Sequence, residues 1–139
     1  MNEQQCLTEL KELPMGNRIT NQRMVILKYL RCVMSHPTAE QIYLAVKRKL
    51  PHISLGTVYR NLDFLSRQNF LLELQGNDDK THYDGHMDQH DHFVCENCRK
   101  IYDIDEIRRS GKNPKLKIGT VKSVHLNYYG ICRSCQNKK

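Results

Sequence analysis

Ser54-Leu55-Gly56-Thr57-Val58-Tyr59-Arg60-Asn61-Leu62-Asp63-Phe64-Leu65, followed by Leu71-Leu72-Glu73-Leu74-Gln75 and Thr81-His82-Tyr83-Asp84, is the stretch whose reading decides the fold. Ser54 has the side chain of a helix N-cap. Leu55, Val58, Leu62 and Leu65 recur at the spacing of one helix face. The two later runs read as short strands, and Gly76-Asn77-Asp78-Asp79 supplies turn chemistry between them. Working backwards, Pro37 and Pro51 bracket a helix that Thr38 and Gln41 open as a capping box, with Ala39, Ile42, Val46 and Leu50 on one face. Thr20 caps a helix running to about Met34 through Val25, Ile26, Tyr29, Leu30 and Val33. Residues 3–12 carry Leu7 and Leu10 near one face, with Leu13 just beyond, and suggest one more helix. A helical series closed by a β-hairpin is a winged helix-turn-helix, in which the last helix enters the major groove of DNA and the hairpin lies beside it.

The outer face of the helix that Ser54 opens fits that role. Gly56, Thr57, Arg60 and Arg67 fall opposite the apolar stripe, and Tyr59 lies at its border. Small residues and arginines permit close approach to a phosphate backbone. The residues expected to reach DNA are Arg18, Arg23, Ser54, Thr57, Tyr59 and Arg60, with Lys47, Arg48 and Lys49 nearby. The competing reading of each residue alone is a solvated amphipathic helix; the series of helices plus the hairpin favours DNA.

The rest of the composition agrees. The 139-residue chain has a formal net charge of +7, which favours a polyanionic partner. No apolar run approaches the roughly 18 residues of a membrane span. The mixed polar and charged stretch Met1 to Leu10 does not read as a signal peptide, so a cytoplasmic protein is expected. Composition shifts along the chain. Residues 1–84 read as the winged-helix DNA-binding domain, 85–90 as a linker without apolar periodicity, and 91–139 as a second domain rich in Cys, His, Tyr and β-branched residues.

Four of the six cysteines form two C-x-x-C pairs, Cys95-Glu96-Asn97-Cys98 and Cys132-Arg133-Ser134-Cys135. Four thiolates on two knuckles suit a tetrahedral zinc ion. With no open coordination position, such a site is structural and not catalytic. The alternatives are unliganded reduced pairs or a redox dithiol, but the latter needs one pair opening a helix. Cys6 and Cys32 read as ordinary thiols on helical patterns, Cys32 partly buried. A second cluster comprises His86, His90 and His92, close to Asp84 and Asp103. His90 and His92 alternate along a strand and face the same side, and Asp103 on the returning strand is placed to oppose them. Two histidines and a carboxylate suit iron, manganese or zinc; the bland reading is a His-rich surface loop.

Together these residues resemble the Fur family of metal-responsive transcriptional regulators, and within it the peroxide-stress branch. The matching stretches are His36-Pro37-Thr38-Ala39-Glu40-Gln41-Ile42-Tyr43, Ser54 to Leu62, Tyr83-Asp84, His90-Asp91-His92-Phe93-Val94-Cys95-Glu96-Asn97-Cys98, and Tyr129-Gly130-Ile131-Cys132-Arg133-Ser134-Cys135. They span almost the whole chain in the right order. The resemblance implies an α+β protein with an N-terminal winged helix-turn-helix domain and a small α+β dimerisation domain holding the four-cysteine zinc site. It implies a homodimeric repressor on an A/T-rich inverted repeat of double-stranded DNA, with no membrane partner and no small-molecule substrate. It also implies a regulatory Fe2+ or Mn2+ site between the domains, with ligands His36, Asp84, His90, His92 and Asp103. A metal there would set the angle between the two winged helices of a dimer and so convert metal binding into DNA affinity. Asp at 103, where metal-uptake members commonly have Glu, points to peroxide sensing. In that reading bound Fe(II) reacts with hydrogen peroxide and oxidises His36 or His90, whereas Mn(II) fills the site without this chemistry.

The chain departs from the family's pattern in two places. Arg99 follows the first knuckle where Gly is usual, and the connection after Asp103, with Gly111 and Pro114, is short where the family has a longer helix. A further metal site known in some members is not expected, since only His125 lies near its place. The alternative within the family is an iron- or zinc-uptake regulator without peroxide sensing. Outside it stand a non-haem iron oxygenase, for which a winged-helix chain of this length has no room for an enclosed substrate pocket, and a zinc-ribbon adaptor binding protein or RNA. The reading is a regulator and not an enzyme.

Overall fold

The structure, a computed structural model, describes residues 19–88, 90–105, 115–122 and 124–138. Its first compact unit runs to Gln75 and includes Asp79–Met87, and the second comprises Gly76–Asp78 and the chain from Asp88 onward. The helix expected over residues 3–12, with Cys6, and Arg18 lie outside the described residues.

Local capping starts each helix of the first unit. In α1 (Asn21–Cys32) the Thr20 hydroxyl accepts from the backbone N–H of Arg23. α2 (Ala39–Val46) opens on the reciprocal capping box of Thr38 and Gln41. α3 (Leu55–Arg67) opens where Ser54 Oγ accepts from Thr57 N at 3.1 Å. Two of these helices end earlier than their apolar pattern suggests. α1 stops at Cys32, and beyond Val46 the chain passes into a turn in which Lys49 N and Leu50 N both donate to Val46 O. Ile26, Leu27, Leu30, Ala39, Ile42, Val46, Val58, Leu62 and Leu65 are buried together, and Ile53, Leu71 and Tyr83 complete the core. Leu55, expected on the core face, is half-buried at the helix start. Removing a fully buried leucine from such a core costs about 2–5 kcal/mol. Cys32 corrects the sequence reading: it is exposed and disulfide-bonded rather than a part-buried thiol.

β1 (Leu72–Gln75) and β2 (Thr81–Asp84) form an antiparallel hairpin in the register Leu72↔Asp84, Leu74↔His82. The hairpin is tied to the segment before α2. Tyr83 N donates to Pro37 O at 3.0 Å, and Thr38 bridges His82. Gly85 comes next, in close contact with α1. A Cβ there would lie 2.8 Å from the carbonyl carbon of Leu30 and 2.9 Å from Arg31 N, nearer than side-chain carbons come to backbone, so only glycine fits.

The second unit is built on β3 (Asp91–Cys95), which runs antiparallel to β4 (Ile101–Ile104). The chain beyond β4 carries a small hairpin of β5 (Lys115–Leu116) and β6 (Gly119–Thr120). It then returns as β7 (Asn127–Gly130), which pairs with β3 in parallel and completes a three-stranded sheet in the order β4-β3-β7. Asp91 Oδ1 accepts from Leu126 N, and His92 N donates to Leu126 O, so the start of β3 fixes the chain entering β7. One helical turn, α4 (Arg133–Gln136), comes after Cys132.

Candidate metal centres

Alternation along β3 separates two chemistries on the two faces of one sheet. His92 pairs across the ladder with Asp103, and Phe93 with Tyr102. Cys95 shares the parity of Phe93, so the thiolates lie towards one face and the His–carboxylate pair on the other.

The sulfur cluster is built by hydrogen bonds of the knuckles. β3 ends at Cys95, and a turn brings Arg99 N onto Cys95 O at 2.9 Å. Glu96 N donates to Gly130 O at 2.8 Å, which ties the first knuckle to β7 just before the second. Cys95 Sγ accepts from Cys98 N at 3.5 Å and from Cys132 N at 3.3 Å. Those donations pull the Cys95 thiol down to about 6, the Cys132 amide contributing most. The Tyr102 hydroxyl lowers Cys132 in the same way, whereas the neighbouring Cys132 sulfur pushes Cys135 up to about 11. Sulfurs so close resist being charged together unless a cation lies among them. The four sulfur atoms all lie within 4.8 Å of one another. Cys98 Sγ and Cys132 Sγ are 3.8 Å apart, the edge of a tetrahedron of sulfurs held at about 2.3 Å from zinc. The donor set therefore fits a structural zinc ion.

The backbone at Arg99 shows why glycine is usual after the first knuckle. Its φ is 63°, in the left-handed region that favours glycine. Replacing Arg99 by Gly is expected to leave zinc content unchanged and to raise unfolding stability by roughly 0.5–1 kcal/mol. Paired urea unfolding curves check this, and an unchanged midpoint would mean that the knuckle carries no strain at Arg99.

The other expected ligands collect within each unit. In the first, His36 is 3% exposed and has φ of 49°. The surrounding bonds hold that conformation: the His82 ring donates from Nδ1 to His36 O at 2.6 Å, next to the Tyr83–Pro37 backbone bond. His36 Nε2 lies 3.7 Å from Oδ2 of Asp84, also buried. In the second, Asp103 Oδ1 is 3.4 Å from His90 Nε2 and 3.5 Å from His92 Nε2. The two imidazoles meet edge to face at 4.6 Å. These separations exceed good hydrogen bonds and approach the roughly 3.0–3.4 Å between donors that share one ion at about 2.1 Å. His90 Nδ1 donates to Asp88 O at 2.6 Å, which leaves the Nε2 lone pair for a metal. Two imidazoles and a carboxylate with this tautomer suit Fe2+ or Mn2+. Sequence reasoning missed His82 and the Asp88 carbonyl as partners of His36 and His90, because each acts through a contact that no spacing rule encodes.

The expected DNA-facing residues separate into two groups. Tyr59 and Arg60 are exposed on α3. The Tyr59 hydroxyl donates to Glu40 at 3.0 Å and Arg60 Nη2 to Thr57 Oγ1 at 3.0 Å, while Ser54 and Thr57 share a 2.8 Å hydrogen bond at the cap. Arg23 is occupied within the fold: Nε donates to Asn61 Oδ1 and the guanidinium lies 3.5 Å over the Phe64 ring.

Comparison with known proteins accounts for this arrangement. The sequence is 38% identical over 97% of this chain, and 94% of the relative, to the peroxide operon regulator of Bacillus subtilis (strain 168). It is 36% identical to the peroxide-responsive repressor PerR of Staphylococcus aureus, over 88% of this chain and 85% of that protein. The crystal structure of the Campylobacter jejuni peroxide stress regulator superposes with a TM-score of 0.67 at 34% identity, covering 97% of this chain and 100% of that one. The model of the ferric uptake regulator family matches residues 14–129, and the chain belongs to that family of metal-dependent transcriptional regulators.

Proposed function

We propose that the protein is a metal-dependent DNA-binding repressor that senses hydrogen peroxide and acts as a homodimer in the cytoplasm. The reading makes it a regulator and not an enzyme. The observation that carries it is the His90–His92–Asp103 cluster, in which both imidazoles are buried and their Nε2 atoms and the carboxylate oxygen face a common point. The peroxide regulators and repressors among its relatives support the sensing role. In this reading α1–α3 and the β1–β2 hairpin act as a winged helix, and the sheet of the second unit belongs to the dimerisation domain. His36 and Asp84 of the first unit and His90, His92 and Asp103 of the second ligate one regulatory Fe2+ or Mn2+. A ligand set drawn from both units couples metal occupancy to the placement of the DNA-reading helix, because an ion that binds one arrangement more tightly shifts the population towards it.

Within that frame α3 presents Thr57, Tyr59 and Arg60 to DNA, with Ser54 at its N-terminus, where backbone N–H groups attract phosphate. Arg18 completes the proposed contacts, whereas Arg23 is held within the fold by Asn61 and Phe64. An A/T-rich inverted repeat fits a two-fold dimer that offers two such helices. The test is fluorescence anisotropy on such a duplex, with the full zinc-loaded chain and added Mn(II). Affinity is expected to rise at least ~10-fold with metal, a coupling of about 1.4 kcal/mol or more. Asp103→Ala should abolish the increase without altering zinc content. Equal affinity with and without Mn(II) would overturn the reading and favour a zinc-ribbon adaptor.

A further inference from the structure

Asp84, Gly85 and His86 make a turn whose geometry goes beyond the ligand set above. One oxygen of the Asp84 carboxylate, Oδ1, receives two hydrogen bonds from the same residue. The backbone N–H of His86 donates at 2.8 Å and its ring Nδ1 at 3.3 Å. A carboxylate only accepts, so the proton of that imidazole sits on Nδ1. The other oxygen, Oδ2, is the one directed to His36 Nε2 at 3.7 Å. The Asp84 side chain is 2% exposed and that of His86 18%, so both bonds form away from bulk water. Gly85 pins the turn between them, because its α-carbon packs against the backbone of Leu30 and Arg31 where no Cβ can fit.

We propose that His86 is a positioning residue for the regulatory metal: it fixes Oδ1 of Asp84 so that Oδ2 is presented, in one orientation, beside His36. The proposal rests on the reading of Asp84 as a ligand. Its physical basis is general. A ligating carboxylate free to rotate loses entropy and samples wrong geometries on binding, and groups that hydrogen-bond a ligand from behind typically contribute about 10–100-fold to metal affinity. Sequence spacing places His86 with the other histidines of its cluster, but the bonds observed put it behind Asp84.

The test uses the full-length, zinc-loaded protein, with Mn(II) titrated against a fluorescent chelator. His86→Ala is expected to weaken Mn(II) binding about 10–100-fold, with zinc content and the melting temperature of the zinc-only form unchanged. His86→Asn should recover most of the loss, because the asparagine amide nitrogen lies where Nδ1 of histidine lies and can donate to the same oxygen. Mn(II) affinity within twofold of the parent in His86→Ala, while Asp84→Ala loses binding, would overturn the proposal and leave Asp84 a ligand. A loss in His86→Ala as complete as in Asp84→Ala, with no recovery in His86→Asn, would overturn it differently and make His86 itself a ligand. Unchanged binding in Asp84→Ala would instead remove the reading on which the proposal depends.

Discussion

Brief exposure of the Fe(II)-loaded protein to hydrogen peroxide is expected to add one oxygen atom to the peptide containing His36 or to that containing His90, and to abolish metal-dependent DNA binding. The Mn(II)-loaded protein should show neither change. When bound, Fe(II) supplies the one-electron chemistry that makes peroxide an oxidant at the site. The net change is insertion of oxygen at an imidazole C–H with release of water, so one peroxide is consumed per modified ring. What the chain supplies is placement. His36 is 3% exposed and His90 7%, so an oxidant formed beside them meets imidazole before it meets solvent. The bond from His90 Nδ1 to Asp88 O holds its Nε2 edge inward. An imidazole carrying the added oxygen is a poorer ligand, and the metal-dependent part of the DNA affinity disappears with the metal, in a single-use switch. Mass spectrometry of the two peptides, with anisotropy on the same samples, checks both halves. Unmodified His36 and His90 in a protein that demonstrably holds iron would replace peroxide sensing by regulation of metal uptake.

Removing zinc is expected to have the largest structural effect. Among the described residues the contiguous hydrophobic core belongs wholly to the first unit. The buried apolar residues of the second are Val94, Cys95, Ile101 and Cys132, two of them sulfur ligands. So small a core cannot offset the conformational entropy of its strands. Structural zinc contributes on the order of 10–16 kcal/mol of apparent binding free energy in small domains. Cys95→Ser removes the sulfur that receives amide donations from both knuckles. The variant should therefore lose its zinc and the protection of the β3, β4 and β7 amides against hydrogen exchange. The helical circular dichroism of α1–α3 should survive. Zinc analysis together with hydrogen exchange tests this. Full amide protection in a zinc-free Cys95→Ser protein would refute a structural role for the site.

Much of the fold is legible in the sequence because its signals are short-range. The caps at Thr20, Thr38 and Ser54 lie within three residues of the N–H groups they satisfy, so sequence alone locates those helix starts. The apolar stripe of α3 names Val58, Leu62 and Leu65 as core for the same reason. The two C-x-x-C pairs announce zinc because each knuckle is a local turn. Helix ends are less legible: α2 stops at Val46 because the chain there enters a turn in which Val46 O accepts from both Lys49 and Leu50. Of the proposed regulatory ligands, His36 alone emerges only through resemblance to a family, because it lies far in the chain from the cluster of Asp84, His90, His92 and Asp103.

The sequence by itself thus determined α1 to α3, the β1–β2 hairpin and the identity of the sulfur ligands, all written in periodicities and spacings of a few residues. The sequence already set Asp103 on the strand opposite His90 and His92, as the register has it, whereas the tertiary structure alone decided the left-handed backbone of His36 and the occupation of Arg23 by Asn61 and Phe64. It alone decided the turn that sets His86 behind Asp84. The physical reason is the range of the forces involved. Caps and helix faces are satisfied by neighbours in the chain, whereas backbone strain and support of a ligand depend on partners that meet only when distant segments pack.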